Sequence, residues 1–317
     1  MRRATIEDAI RSMSSRRVAV LGDIMLDIWE YGGISRLSPE APVPVVQMQS
    51  RIAMLGGAAN AARNARSCGA AVTLFGVIGA DRSADEVRGL LAESGIEGSG
   101  VFVDAGRPTT QKRRIVGPDG HLLRVDHEST SVIPGDLTRK ISAALASAMA
   151  GTDALVISDY AKGVMTAELA EQAIALARQA GIPMVVDTKP AHASFYKRPT
   201  VVTPNAQEAL EMTASSSLAV AGNRLVEVFG APAIVTSGAD GMSLFGDGEP
   251  LHIPALDVAV ADVSGAGDTV TMGVALGLSA GLGLADAMRL ANLMAGHVVA
   301  KKGTAAVTAQ ELLQARW

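Results

Sequence analysis

Short apolar runs recur along the chain, separated by longer stretches in which apolar positions return every three or four residues. That is the pattern of buried strands alternating with amphipathic helices. Val18 to Leu21 is apolar throughout and ends in Gly22-Asp23, which predicts a buried strand and the loop after it. Gly56 to Cys68 (GGAANAARNARSC) predicts a helix opening on glycines and packed through small residues. A strand over Val72–Val77 and a helix over Ala84–Ser94 follow. The alternation continues with helix Leu137–Met149, strand Ala154–Ile157, helix Ala167–Ala180 and strand Pro183–Val186. Strand Thr200–Val202, helices Ala206–Met212 and Ala219–Phe229, and strand Ala233–Thr236 come next. Long helices are predicted over Ala266–Ala280 and Leu284–Ala300, and Thr308-Ala-Gln-Glu311 has the form of a capping box opening a last short helix. Such an order predicts an α/β fold with a mainly parallel central sheet and helices on both faces.

Two segments break the rhythm. Ile34 to Met54 carries Pro39, Pro42 and Pro44 followed by Val45-Val46, and Val101 to Asp126 reads as strands with Gly117-Pro-Asp-Gly120 as a hairpin turn. Together they predict a small β lid, about residues 30–54 and 101–126, outside the main sheet. There is no repeat, low-complexity tract or long linker, so residues 1–317 read as one domain.

Composition narrows the picture. Hydrophobic residues make up 48% of 317 and aromatics only 3%, so the core must be built from Ala, Val, Leu, Ile and Met. A net charge of -4 without a basic tract offers no nucleic-acid footprint. One cysteine, Cys68, excludes an internal disulfide and fits a reducing compartment. Met1 to Arg17 has no apolar signal-peptide core, and the uncharged stretch Thr269–Ala285 reads as a buried helix rather than a membrane span. A soluble, cytoplasmic protein is expected.

The segment Ala261-Asp-Val-Ser-Gly-Ala-Gly-Asp268 stands between what reads as an apolar strand and a long small-residue helix. Gly265, Ala266 and Gly267 put bare N–H groups at a helix N-terminus, where free donors and the helix dipole favour an anion. Asp268 falls in the first turn beside them. A carboxylate there can take the proton of a hydroxyl that attacks phosphorus, while the amides stabilise charge on the transferring group. The plainer alternative is close helix–strand packing with Asp268 as a helix-terminal charge.

Asp262 to Asp268, D-V-S-G-A-G-D, resembles the C-terminal signature of the ribokinase-like (PfkB) carbohydrate kinases. Gly56-Gly-Ala-Ala-Asn60 resembles the family's N-terminal G-G-x-x-N, and Thr203-Pro-Asn-Ala-Gln-Glu208 its T-x-N-x-x-E element. The three stand in the family's order, so the resemblance covers the whole chain. It implies the ribokinase-like three-layer fold, with ATP and Mg²⁺ as cofactors. Asp268 would be the catalytic base, and Gly265, Ala266 and Gly267 the anion hole. Gly56, Gly57 and Asn60 would touch the sugar. Asn205 and Glu208 would hold the nucleotide phosphates and the water shell of Mg²⁺, although an N-cap and a first-turn acid describe the same two residues. Thr236 and Gly238 would line the nucleotide, and Asn292 would approach the adenine. Asp262 with the Lys302-Gly-Thr304 loop would form a monovalent-cation site for K⁺.

Three further segments, Gly22-Asp-Ile-Met-Leu-Asp27, Ser35 to Val46 and Ile157-Ser-Asp-Tyr-Ala-Lys-Gly163, resemble one branch, the D-glycero-β-D-manno-heptose 7-phosphate kinases. That branch makes heptose 1,7-bisphosphate for the lipopolysaccharide core of Gram-negative bacteria. Asp187-Thr-Lys-Pro departs from the branch's D-P-K-G, and Ser264 stands where Thr is commoner. Many members carry a second, adenylyltransferase domain with an H-x-G-H motif. The five histidines here never form it, so a stand-alone kinase is expected. Other phosphosugars, such as fructose 6-phosphate or tagatose 6-phosphate, remain open as substrates, as do an unphosphorylated sugar or a nucleoside and a non-catalytic sugar-phosphate sensor on the same fold.

A phosphorylated substrate needs cations. Lys112 and Arg114 lie two apart in a predicted strand and so share one face, with Arg113 on the other. Lys162 follows a strand end together with Asp159, where ligands of open α/β sheets bind. Arg124, Arg36 and Lys189 complete the candidates; solvation of an edge strand is the alternative for Lys112 and Arg114. Asp23 and Asp27, and more weakly Asp126, are placed to accept hydrogen bonds from sugar hydroxyls. The lid's free edge predicts pairing with a second copy of the chain.

Overall fold

Strict alternation along the central strands sends successive side chains into two different cores. In β1 (Arg17–Gly22), Val18 and Val20 enter one and Ala19 and Leu21 the other. In β8 (Ala154–Asp159), Ala154 and Val156 part from Leu155 and Ile157 in the same way. A strand buried on both faces needs a layer of helices on each side. The computed structural model, which describes residues 5–118 and 120–315, has that three-layer arrangement.

Strands are numbered along the chain. The main sheet runs β13 (Leu251–Ile253), β12 (Met242–Phe245), β11 (Ala233–Thr236), β10 (Val201–Val202), β9 (Met184–Thr188), β8, β1, β4 (Ala71–Ile78), β5 (Glu97–Val103). All its pairings are parallel except those made by β12, with β11 and with the edge strand β13. One face is covered by α1 (Ile6–Ser12), α2 (Ala58–Ser67), α3 (Arg82–Glu93), α8 (Ala266–Ser279), α9 (Leu284–Val299) and α10 (Ala309–Gln314). The other carries α4 (Gly135–Ala148), α5 (Ala167–Ala180), α6 (Ala206–Thr213) and α7 (Leu218–Phe229).

The shortage of aromatics is met by close helix packing. A Cβ on Gly273 would stand 2.7 Å from the Ala291 Cα, and one on Gly277 would stand 2.9 Å from the Ala287 Cβ, so α8 and α9 meet nearly backbone to backbone. The uncharged stretch is this buried helix, and among the described residues no helix is long and apolar enough to cross a membrane.

The lid is a second sheet in the order β3 (Pro44–Gly57), β2 (Ile24–Leu37), β6 (Thr110–Gly117), β7 (Gly120–His127). It reaches deeper than its sequence boundaries. β2 leaves β1 after Asp23, and β3 returns through Gly56 and Gly57 before α2 begins at Ala58. Gly56 and Gly57 thus end the strand, and Gly57 is also the N-cap that opens α2. Asp119, in the expected hairpin turn, lies outside the described residues.

Two expectations need correction. Val101 was assigned to the lid, but β5 belongs to the main sheet. Val101 packs on one core and Phe102 on the other, and bare Gly100 lets Phe75 lie against the backbone. The apolar strand expected before Asp268 does not form: residues 254–260 are irregular. Pro254 offers no N–H to a ladder, and Leu256 and Val260 are exposed. Helix α1, not foreseen, is fixed by a Thr5–Asp8 capping box.

Candidate active site

The loops at the carboxyl ends of β1, β8 and β9, the first turn of α8 and the base of the lid converge on one carboxylate. Asp268 is the third residue of α8 and is buried. Asn60 Nδ2, in the first turn of α2, donates to its Oδ2 at 2.7 Å. The Tyr160 hydroxyl, just after β8, donates to its Oδ1 at 2.9 Å. Burial pushes the Asp268 pKa up to about 6, even though both hydrogen bonds pull it down. A base tuned there is mostly ionised at neutral pH yet retains proton affinity.

The helix N-terminus before it is open. Gly265 caps α8 at φ 80°, and a Cβ there would stand 2.7 Å from Asn60 Nδ2, so only glycine brings the cap against Asn60. A Cβ on Gly267 would meet nothing within 4 Å, which leaves space for an anion. Of the three expected donors, Ala266 is otherwise engaged: its N–H reaches the Val263 carbonyl at 3.2 Å.

The lid supplies the opposite wall. Asp27, in β2, accepts from Arg114 at 2.6 Å, and the guanidinium lies 5.0 Å from the Trp29 ring centroid. A Cβ on Gly56 would stand 2.4 Å from the Asp27 carboxylate, which is the reason for glycine there. Gly57, at φ 56°, lies against the Asp23 carbonyl. Lys112 and Arg114 do share a face, whereas Arg113 turns to Glu30. Lys112 is paired with Asp126 at 2.9 Å and Glu128 at 2.6 Å, and Lys162 joins Glu128 from the body at 2.7 Å. Glu128 thus bridges lid and body, and nothing in its local sequence marked it. Arg124, mostly exposed, holds Asp126.

Several candidates are turned elsewhere. Both Asp23 oxygens face the loop after β8 and accept from the Tyr160, Lys162 and Val164 amides. The Asp159 carboxylate is enclosed by Thr188, His192 and Tyr196. Arg36 stands nine residues beyond Asp27 along β2, opposite Val45 of β3, and is exposed. Asn292 donates to the Pro254 carbonyl at 2.9 Å and so anchors the loop leading to Asp268.

On the far side of Asp268, Asn205 caps α6 and forms a capping box with Glu208. Glu208 also takes Lys189, whose ammonium lies 4.7 Å from the Tyr160 ring centroid. Burial works against the charge on Lys189, but the Asp187 and Glu208 carboxylates outweigh it and raise its pKa. Asp187, which the sequence reading passed over, is buried at the end of β9 and pushed up to about 7, chiefly by burial. Thr236 pairs with Asn205 at the end of β11, and Gly238, at φ 58°, borders open space. Asp262 joins two loops by accepting from the Ser264 and Gly303 amides.

Comparison with known proteins shows the family and the fold. A family model described as pfkB family carbohydrate kinase matches residues 15–311. The bifunctional protein HldE of Caulobacter vibrioides is 44% identical over 313 residues, covering 95% of this chain and 64% of that protein. The chain therefore spans just under two thirds of that relative's length. The D-beta-D-heptose 7-phosphate kinase of Bordetella bronchiseptica is 43% identical over 304 residues, 93% of this chain and 95% of that one. Among solved structures, Arabidopsis thaliana ribokinase complexed with ribose and ATP superposes with a TM-score of 0.72 at 17% identity, over 95% of this chain and 99% of that chain. Phosphofructokinase-2 from Escherichia coli in complex with potassium gives 0.76 at 19%, over 94% and 97%. These two show the shared fold.

Proposed function

The chain belongs to the pfkB family of carbohydrate kinases, and on that premise we propose that it transfers the γ-phosphoryl group of ATP to the anomeric (C1) hydroxyl of D-glycero-β-D-manno-heptose 7-phosphate. The products are heptose 1,7-bisphosphate and ADP, a step towards the lipopolysaccharide core, and the use of ATP puts the reaction in the cytoplasm. The observation that carries the reading is a buried carboxylate, Asp268, held at an open helix N-terminus and faced by a lid that bears Asp27 and Lys112, with Lys162 of the body meeting Lys112 at Glu128.

In the reaction, the sugar O–H bond breaks and its proton passes to Asp268. The sugar oxygen bonds to the γ-phosphorus as the bond to the β–γ bridging oxygen breaks and ADP leaves. Backbone donors around Gly267 steady the charge on the phosphoryl group in transit. Asp27 and Asn60 orient the sugar ring. The 7-phosphate enters between Lys112 and Lys162 and competes there with Glu128, whose carboxylate already shows that the two ammonium groups can share one anion.

The residues present suit Mg²⁺ carried by ATP, because the donor set is hard oxygen. Both Glu208 oxygens are already engaged, by Lys189 and by the Asn205 amide, so Glu208 would hold the ion through water. When bound, the ion neutralises charge on the β- and γ-phosphates. A monovalent cation between the loops joined by Asp262 belongs to the same reading.

A coupled ADP-release assay over heptose 7-phosphate, fructose 6-phosphate, tagatose 6-phosphate and the free sugars tests the substrate. The highest kcat/KM is expected for the heptose 7-phosphate, and Lys112→Ala should raise its KM by roughly tenfold through loss of a charged hydrogen bond. A preference for a hexose 6-phosphate would overturn the assignment. The lid also exposes Leu37, Val43, Leu123 and Val125, apolar surface that suits burial against a second copy. A homodimer is expected, and a monomeric mass by light scattering at working concentration would exclude it.

A further inference from the structure

Tyr160 is fixed from three directions at the catalytic carboxylate. Its backbone N–H donates to Asp23 at 2.8 Å, its ring lies 4.7 Å from the Lys189 ammonium, and its hydroxyl donates to Asp268 Oδ1 at 2.9 Å. Asn60 takes the other oxygen, so the Asp268 carboxylate is gripped at both ends and cannot turn about its own axis. The loop that carries Tyr160 is pinned by the buried Asp23 and Asp159 carboxylates, which makes the phenol a rigid donor rather than a swinging one. We propose that Tyr160 is a positioning residue for the phosphoryl-transfer step, presenting the free lone pairs of Asp268 to the sugar hydroxyl and holding that carboxylate in its proton-accepting form.

The inference rests on Asp268 being the base. The phenol keeps its own proton throughout: burial and the neighbouring carboxylates push its pKa well above the usual tyrosine value, so it serves only as a donor. Donation to the ionised carboxylate favours that form. The other groups facing Asp268 are Asn60 and Arg63 from α2, Asp27 from the lid, and Asp187 and Lys189 from the end of β9. Asp27 opposes ionisation of the base and Lys189 supports it. Removing the phenol hydroxyl leaves the base with one hydrogen bond fewer against the same burial, so its pKa rises. The acid limb of the rate profile must then move to higher pH.

The test is the single-turnover rate of Tyr160→Phe against pH, with the natural chain in parallel. Phe keeps the ring beneath Lys189, so folding should be preserved, and the thermal midpoint checks that it is. The expected result is a limb displaced to higher pH, with a loss of about tenfold at pH 6, where one charge-assisted hydrogen bond sets the ionised fraction. The loss should shrink at pH 8.5, and KM for ATP should stay within about twofold. An unmoved acid limb overturns the inference. The control is Asp268→Asn: if it turns over normally, the base assignment itself is wrong. If it is inactive while Tyr160→Phe keeps the natural profile, only the role of Tyr160 falls.

Discussion

Replacing Asp268 with Asn is expected to lower kcat by roughly 100- to 10,000-fold while leaving KM for sugar and ATP within about threefold, the signature of an interaction made only in the transition state. Asn matches the carboxylate in shape and can still accept from Asn60, so the first turn of α8 and the open amides at Gly267 should keep their places. What is lost is the capacity to take a proton. In the natural chain the rate should climb with pH through about 6, because the pKa of Asp268 is raised to that value by burial and the base works only when deprotonated. The residual rate of the Asn variant should show no such limb. A variant with full turnover would show that the proton leaves by another route.

The backbone features around Asp268 were legible because they answer needs that sequence displays. Gly265 must adopt a positive φ against Asn60, Gly56 must clear the Asp27 carboxylate, and Asn205 and Glu208 form a capping box. Each leaves a recognisable glycine or cap at fixed spacing. The alternating layers were legible for the same kind of reason, since strands buried on both faces read as unbroken apolar runs. Glu128, Asp187 and Tyr160 were not legible as site residues. Glu128 and Tyr160 act through partners distant in sequence, Lys112 and Lys162 for the first and Asp268 for the second, while Asp187 stands beside Lys189 and is set apart by its burial at the end of β9. No local pattern distinguishes such a residue from an ordinary surface acid or aromatic. Asp23 and Asp159 show the converse case. Their place at strand ends suggested ligand contacts, whereas the Asp23 oxygens accept from the Tyr160, Lys162 and Val164 amides and the Asp159 carboxylate is held by Thr188, His192 and Tyr196.

Asp23→Ala should therefore be a stability variant before it is a substrate variant. The change strips acceptors from three amides, two of them partly buried and the third, at Val164, fully so, and an unsatisfied buried donor costs about 1–3 kcal/mol. A total loss of about 3 kcal/mol or more is expected, lowering Tm by roughly 5–10 °C for a chain of this size. The sign of the pH dependence gives a second check. Burial raises the pKa of Asp23 from 3.8 to about 6, so between those values the folded state binds more protons than the unfolded one. Its contribution is fully present below about pH 4 and declines as pH rises through about 6. The Tm difference between the natural chain and Asp23→Ala should therefore be larger at pH 4.5 than at pH 7.5. Turnover should fall as well, because Tyr160 hangs from the same loop, yet KM for the sugar should change less than kcat. A variant with unchanged Tm and a greatly raised sugar KM would return Asp23 to the substrate and undo the loop-anchoring role.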